Sequence, residues 1–155
     1  MTTEFVSTTI TIDASAAAVF AVLADPRKHA SIDGTGRVEE PVDPRPMTAA
    51  GQVFAMAMYH PNHPNKNYTT YNQILDFEPG RVISWRTGYL KDDGELGFGG
   101  WFWRYDLTPV GPEQTEVTLT YDWSATDADV RERIQFPPFP PEHFVASLEH
   151  LAGLI

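Results

Sequence analysis

Residues 81–124, RVISWRTGYLKDDGELGFGGWFWRYDLTPVGPEQTEVTLTYDWS, decide the fold. Three stretches, 81–90, 101–109 and 115–124, are rich in β-branched and aromatic side chains, and KDDGELGFGG and VGPEQ separate them with turn-forming residues. Connections this short join antiparallel neighbours, because a parallel pair needs a crossover of a dozen residues or more. Alternation puts Trp101, Trp103, Tyr105 and Leu107 on one face, and Phe102, Arg104 and Asp106 on the other. In the next strand Val117, Leu119, Tyr121 and Trp123 share a face, and on the preceding one Ile83 and Trp85 join the same layer. That aromatic face must be covered, so it points inward.

Outward from this hairpin the pattern continues. Residues 36–42, 52–60 and 68–78 read as three further strands, divided by the loops DPRPMTAAG and PNHPNKN and closed by the Pro79-Gly80 turn. Residues 4–12, EFVSTTITI, alternate as an opening strand, and an edge position there offers pairing across a dimer. DASAAAVFAVLAD follows as a short helix capped by Asp13 or Ser15 and stopped by Pro26, with Val19, Phe20 and Leu23 on its buried face. RKHASID is weakly helical up to Asp33-Gly34. Beyond the sheet, 126–135 forms a short helix, FPPFPP breaks the chain, and 142–155 forms a longer helix. Its stripe comprises Phe144, Val145, Leu148, Leu151, Ala152 and Ile155. The order strand, helix pair, six-strand meander, terminal helix predicts a single α+β domain over residues 1–155.

Composition narrows the function classes. The chain has 155 residues, 42% of them apolar, which suits one folded domain rather than a disordered segment. It has no cysteine, so disulfides, thiolate metal sites and cysteine nucleophiles are excluded. The net charge is −10, with eight acidic and two basic residues after position 112, and no basic cluster lies elsewhere. A nucleic-acid backbone or an anionic membrane surface is therefore not an expected partner. With neither a signal-peptide pattern nor an apolar run of membrane-spanning length, a cytoplasmic location is expected.

The opening strand with IDASAAAVFAVLADP, the FEPGRVISWRTG turn and strand, and the WRYDLTPVGPEQTEVTLTYDWS hairpin together resemble the START-like, or SRPBCC, superfamily. This is the helix-grip fold shared with plant pollen allergens, and the likeness is strongest to bacterial polyketide cyclase/dehydrase-type members. The resemblance spans nearly the whole chain. It implies a curved antiparallel sheet of six to seven strands gripping the C-terminal helix, with a cavity between them that takes an apolar or aromatic molecule. FPPFPP departs from the continuous terminal helix usual in that superfamily, which leaves one cavity wall open to variation.

Candidate cavity residues follow from the inward faces: Trp85, Trp103, Tyr105, Tyr121 and Trp123 on the central strands, and Met56, Met58 and His60 on the strand before them. Tyr71 is a candidate polar anchor, and Phe144, Leu148 and Leu151 come from the terminal helix. Aromatic bulk serves a packed core and a ligand wall equally well, and two methionines supply adaptable surface to either. His60 and His63 lack a third ligand and are separated by Pro61, so neither a metal nor any other cofactor is expected. His60 alone is a possible general base at a cavity mouth. GFGG (97–100) reads as a hairpin turn, because it precedes a strand and lacks the Lys-Ser/Thr continuation of a phosphate loop. No GxSxG elbow or parallel βαβ unit is present, so no catalytic residue is assigned.

The functional expectation is binding of a small, largely apolar or aromatic molecule between the sheet and residues 142–155. The first alternative is a cofactor-independent cyclase or dehydratase on a polyketide-like substrate. The second is a protein-interaction module, which exposed Trp or Phe patches would favour. A monomer and a homodimer both fit.

Overall fold

A computed structural model describes residues 4–33, 38–43, 45–59, 67–133, 135–138 and 140–155. The strands are β1 (Phe5–Ile12), β2 (Val38–Pro41), β3 (Val53–Tyr59), β4 (Asn67–Glu78), β5 (Val82–Leu90), β6 (Leu96–Gly111) and β7 (Gln114–Asp122). Helices are α1 (Ala16–Leu23), α2 (His29–Ile32), α3 (Ala128–Arg133) and α4 (Pro141–Gly153), with a 3-10 turn over Pro26–Lys28. All seven strands form one antiparallel sheet in the order β1-β7-β6-β5-β4-β3-β2. β2 to β7 thus form the expected meander, and β1 pairs with the last strand of the chain. The result is the helix-grip α+β fold.

The registers set which side chains share a face. Trp85 pairs with Trp103, Ile83 with Tyr105, and Tyr105 with Leu119. This inner layer continues through Phe54, Met56 and Ile74, all buried. Helix α1 closes one end of the layer with Val19, Phe20 and Leu23. Ser15 caps that helix, its hydroxyl accepting the Ala18 N–H at 3.2 Å. The terminal helix α4 lies against α2, β1 and β7 and buries Phe144, Leu148 and Leu151. Pro141 sits at its first position, where a missing N–H costs nothing.

Two of the sheet's four register shifts lie in its central strands. Between Ile74 and Asp76 the β4–β5 register shifts by one residue, so Ile74 still opposes Trp85 and Phe77 opposes Ile83. Between Arg86 and Gly88 the β5–β6 register shifts as well. The GFGG segment lies in this second region, inside β6, and is not the hairpin turn expected of it. The turn is Lys91–Glu95, with Lys91 N–H bonded to Glu95 O at 2.8 Å. Gly100 has φ +97°, and any Cβ there would strike the backbone of Ala125. Glycine permits the close approach that an ordinary residue would block.

Candidate functional site

Exposure divides the inner face into two ends. Around α1, Ile12, Val19, Leu23, Ile83, Leu107, Val117 and Leu119 are all buried. Toward the other end, Met58 on β3, Tyr68 and Thr70 on β4, Trp85 and Thr87 on β5, and Trp101 and Trp103 on β6 are only half-buried. They lie on the same sheet face as the core, so their accessible surface opens inside the grip rather than on the outer sheet surface. The helix arrangement accounts for the division: α4 packs over β1 and β7, away from the β3–β5 side.

The expected cavity residues separate accordingly. Met58, Trp85 and Trp103 keep surface at the half-open end. Met56, Tyr121, Phe144, Leu148 and Leu151 are at most 2% exposed and form the packed floor beneath them. Trp103 bridges the two groups, its ring centroid 4.5 Å from Tyr121 and 5.8 Å from Phe144. Trp123 stacks on Phe136 from the FPPFPP segment at 6.3 Å, and Trp101 meets the same ring at 5.7 Å. Tyr71 is not brought to this face. Counting in twos back from Phe77 puts Tyr71 inside, but the extra residue at the Leu75 bulge reverses the parity and turns Asn72 inward instead. His60 and His63 lie outside the described residues.

Asn72, which with Tyr71 and Gln73 is a sequence candidate for a polar group inside the pocket, is the first polar group on the inner face. It is 4% exposed, its Oδ1 accepts from the Thr87 hydroxyl at 2.9 Å, and its Nδ2 donates to Thr70 Oγ1 at 3.3 Å. A polar seam therefore crosses β4 and β5 inside an otherwise apolar wall, its buried groups satisfied by one another. On the outer face Arg86 donates to Gln73 Oε1 and lies 3.7 Å over the Phe98 ring, so it takes no part in the inner site. Arg104 also stays outside, bonded to Asp106 and Asp76.

His29 is the second. It opens α2, directly after the 3-10 turn that Pro26 starts and the Asp25 carboxylate caps at 3.0 Å from Arg27 N–H. The chain reversal brings its ring back under α1, where Nε2 lies 2.8 Å from Leu23 O. Helix α1 leaves that C-terminal carbonyl without an intrahelical donor, so Nε2 carries the proton and donates. The imidazole stacks on Trp85 with centroids 5.1 Å apart and 27° between planes, and meets Phe54 edge-on at 5.5 Å. Burial lowers its pKa, against the opposing pull of the Leu23 bond and the Asp25 and Asp33 carboxylates, so the ring is held neutral. Burial also raises the Tyr105 and Tyr121 hydroxyls far above the usual phenol range, and both remain protonated donors. Sequence reading missed His29 because a lone histidine in a weakly helical stretch carries no local signal; its aromatic box is assembled by tertiary contacts.

Among the described residues there is no group of three or more His, Asp or Glu placed to hold a metal ion, and no helix long and apolar enough to cross a membrane. A sheet gripping a C-terminal helix, with an aromatic, half-open end to its core, defines the class of helix-grip proteins. The chain belongs to the family described as polyketide cyclase/dehydrase and lipid transport, whose model matches residues 4–143. Among curated proteins it is 28% identical over 123 residues to the uncharacterised protein Rv0088 of Mycobacterium tuberculosis, covering 79% of this chain and 49% of that one. The chain thus spans about half the length of the curated relatives it matches. Among solved structures it resembles protein Ms6760 of Mycobacterium smegmatis, with a TM-score of 0.68 at 16% identity over 97% of this chain and 90% of that one. It also resembles the Zhui aromatase/cyclase of Streptomyces sp. R1128, with a TM-score of 0.62 at 19% identity over 97% and 92%. At those identities the structural likeness establishes a shared fold.

Proposed function

We propose that this protein, as a single START-like domain, binds a small, largely apolar or aromatic molecule at the half-open end of its grip, between the sheet and α4. The observation that carries the reading is that Met58, Trp85, Trp101 and Trp103 share the inner face with the core yet remain only half-buried. Large apolar side chains left partly uncovered inside a fold are surface that a ligand can cover, at about 25 cal/mol per Å² of apolar area removed from water. Family membership supports the same reading. The interaction-module alternative gains less support, because all four tryptophans are half-buried or buried. Native mass spectrometry of the purified protein tests the proposal directly, through any retained mass. A thermal-shift panel of apolar aromatic molecules tests it by linkage, since a ligand that binds only the folded state raises the melting temperature. An unmoved melting temperature across the panel, with no retained mass, would overturn it.

Cyclase or dehydratase chemistry is the second reading, and the neutral His29 favours it over inert storage. Its Nε2 is taken up by Leu23 O, which leaves Nδ1 of an imidazole held neutral beside the half-open end to accept a substrate proton. Turnover of a polyketide-like substrate that falls in a His29→Gln variant by more than its loss of binding affinity is the result that reading requires.

A further inference from the structure

Resting on the pocket reading above, the geometry points to a two-point polar anchor in the wall of the grip. The lone pair of His29 Nδ1 accepts a hydrogen bond from a phenolic or enolic hydroxyl of a planar ligand, and the Tyr105 hydroxyl donates to a carbonyl of the same ligand.

The first support is the state of the two groups. His29 is 9% exposed and Tyr105 is 5% exposed. His29 spends its single N–H on Leu23 O, which leaves Nδ1 as an acceptor only. Neither Nδ1 nor the Tyr105 hydroxyl has a hydrogen-bonding partner among the described residues, and neither belongs to the fully enclosed polar atoms that lack one. Both therefore keep an approach open. Buried polar atoms are ordinarily paired, so two open ones on the inner side of one wall call for an incoming partner.

The second support is their common location. Both rings contact Trp85, His29 at 5.1 Å and Tyr105 at 6.0 Å between centroids. The charge of Asp33, at the end of α2, acts on both of them. Both rings therefore lie against one indole, and that indole is itself half-buried.

The third is chemical complementarity. The wall around that indole offers one neutral acceptor, one neutral donor and flat aromatic rings. Among the described residues a carboxylate or phosphate finds no cation there: Arg86 and Arg104 are on the outer face with partners of their own. An aliphatic chain leaves both polar atoms unmatched. A planar ring system with a hydroxyl and a carbonyl matches both atoms and stacks on the walls.

The test compares 2-naphthol with 2-methoxynaphthalene, which differ in the hydroxyl proton, using Trp fluorescence and the 15N resonances of labelled histidine. Expected in the wild type is about a tenfold preference for 2-naphthol, the worth of one well-formed buried hydrogen bond. The His29 Nδ1 resonance should move on adding 2-naphthol while Nε2 stays in place. For 2-acetonaphthone, a carbonyl probe, affinity should fall several-fold in Tyr105→Phe, a variant that keeps the packing and removes only the hydroxyl. His29→Gln, which keeps an N–H for Leu23 O, should bind both naphthalenes with similar affinity. If both naphthalenes bind the wild type equally and Nδ1 does not move, the anchor is wrong while the pocket stands. If Tyr105→Phe binds 2-acetonaphthone as tightly as the wild type, the paired anchor is overturned at its donor. If no probe perturbs Trp fluorescence at all, the pocket reading fails and the anchor fails with it.

Discussion

The hydroxyl of Ser84 is held against Asp76, donating to its Oδ2 at 2.8 Å and accepting from its backbone N–H at 3.0 Å. Asp76 follows the bulged residue of β4, where the ladder to β5 is interrupted and its N–H loses the regular partner. Ser84, wholly buried on the outer face, supplies that partner from its side chain. It thereby fixes the bulge that turns Asn72, rather than Tyr71, inward.

Ser84→Ala should therefore destabilise the protein by about 1–3 kcal/mol, because a backbone N–H is left unpaired. Arg104→Ala, which removes ion pairs to Asp76 and Asp106 at 3.3 and 3.0 Å, should cost only about 0–1 kcal/mol because those side chains are well exposed. Urea denaturation at constant m-value compares the two. Equal costs would mean that Ser84 does not secure the bulge.

The histidine in the aromatic box makes stability depend on pH in a stated direction. Its folded pKa lies below the ordinary value of 6.5 because burial disfavours the imidazolium. The charged groups acting on it, Asp25 and Asp33, pull the other way without reversing the shift. Between the folded pKa and 6.5 the unfolded chain binds more protons, so this contribution is complete above about pH 6.5 and declines as pH falls below it. His29→Gln should flatten the stability profile between about pH 5 and 7. Asp25, held below the ordinary carboxylate range by Arg27, works in a lower window. Its stabilisation is present above about 3.8 and is lost as pH falls through its lowered value, so the two steps are separable. A wild-type profile that is already flat from pH 5 to 7 would refute the assignment.

Much of this architecture was legible because its determinants are local. Period-2 alternation in 5–12 and 114–122, the Pro79-Gly80 turn and the amphipathic stripe of 142–155 act over a few residues each. What escaped depends on pairing across the chain. GFGG reads as a turn from its glycines, yet Gly97 pairs with Tyr89 and Phe98 with Gly88, so the partner strand makes it sheet. Tyr71 reads as inward until one extra residue in β4 reverses the parity. His29 becomes conspicuous only when Trp85 and Phe54, on two different strands, close around it. The fold was therefore more readable than the site.

Arg131 on α3 ties the sheet to the segment leading into α4. Its guanidinium donates to the carbonyls of Thr126 and Trp123, each at 2.9 Å, and to Glu4 Oε1 at 2.9 Å. Arg131→Met should cost about 1–3 kcal/mol through the carbonyls left unpaired. Amide exchange over residues 124–133 should quicken while exchange in β3–β5 is unchanged. Arg131→Lys should recover less than half of the loss, because a single ammonium cannot reproduce a planar fork that reaches the carbonyls of Trp123, Ser124 and Thr126 as well as Glu4. Full recovery with lysine would show that charge alone matters.

The uneven packing of the inner face can be separated into stability and binding by two substitutions. Leu23 is fully buried in the filled end beneath α1, and truncation there removes contacts and leaves a void. Leu23→Ala should cost about 2–5 kcal/mol. Met58 lies on the same face at the half-open end and is only half-buried, so on the pocket reading an added ring enters the ligand's space. Met58→Trp should therefore change stability by less than about 1 kcal/mol, below the roughly 1–3 kcal/mol penalty for overpacking a closed core. The same variant should abolish the rise in melting temperature that an apolar aromatic ligand gives the wild type, because the new indole occupies the ligand's place. A stable Met58→Trp protein that still shows the full ligand-induced shift would locate binding elsewhere on the molecule. A Met58→Trp protein that unfolds as readily as Leu23→Ala would show that this end of the core is already filled.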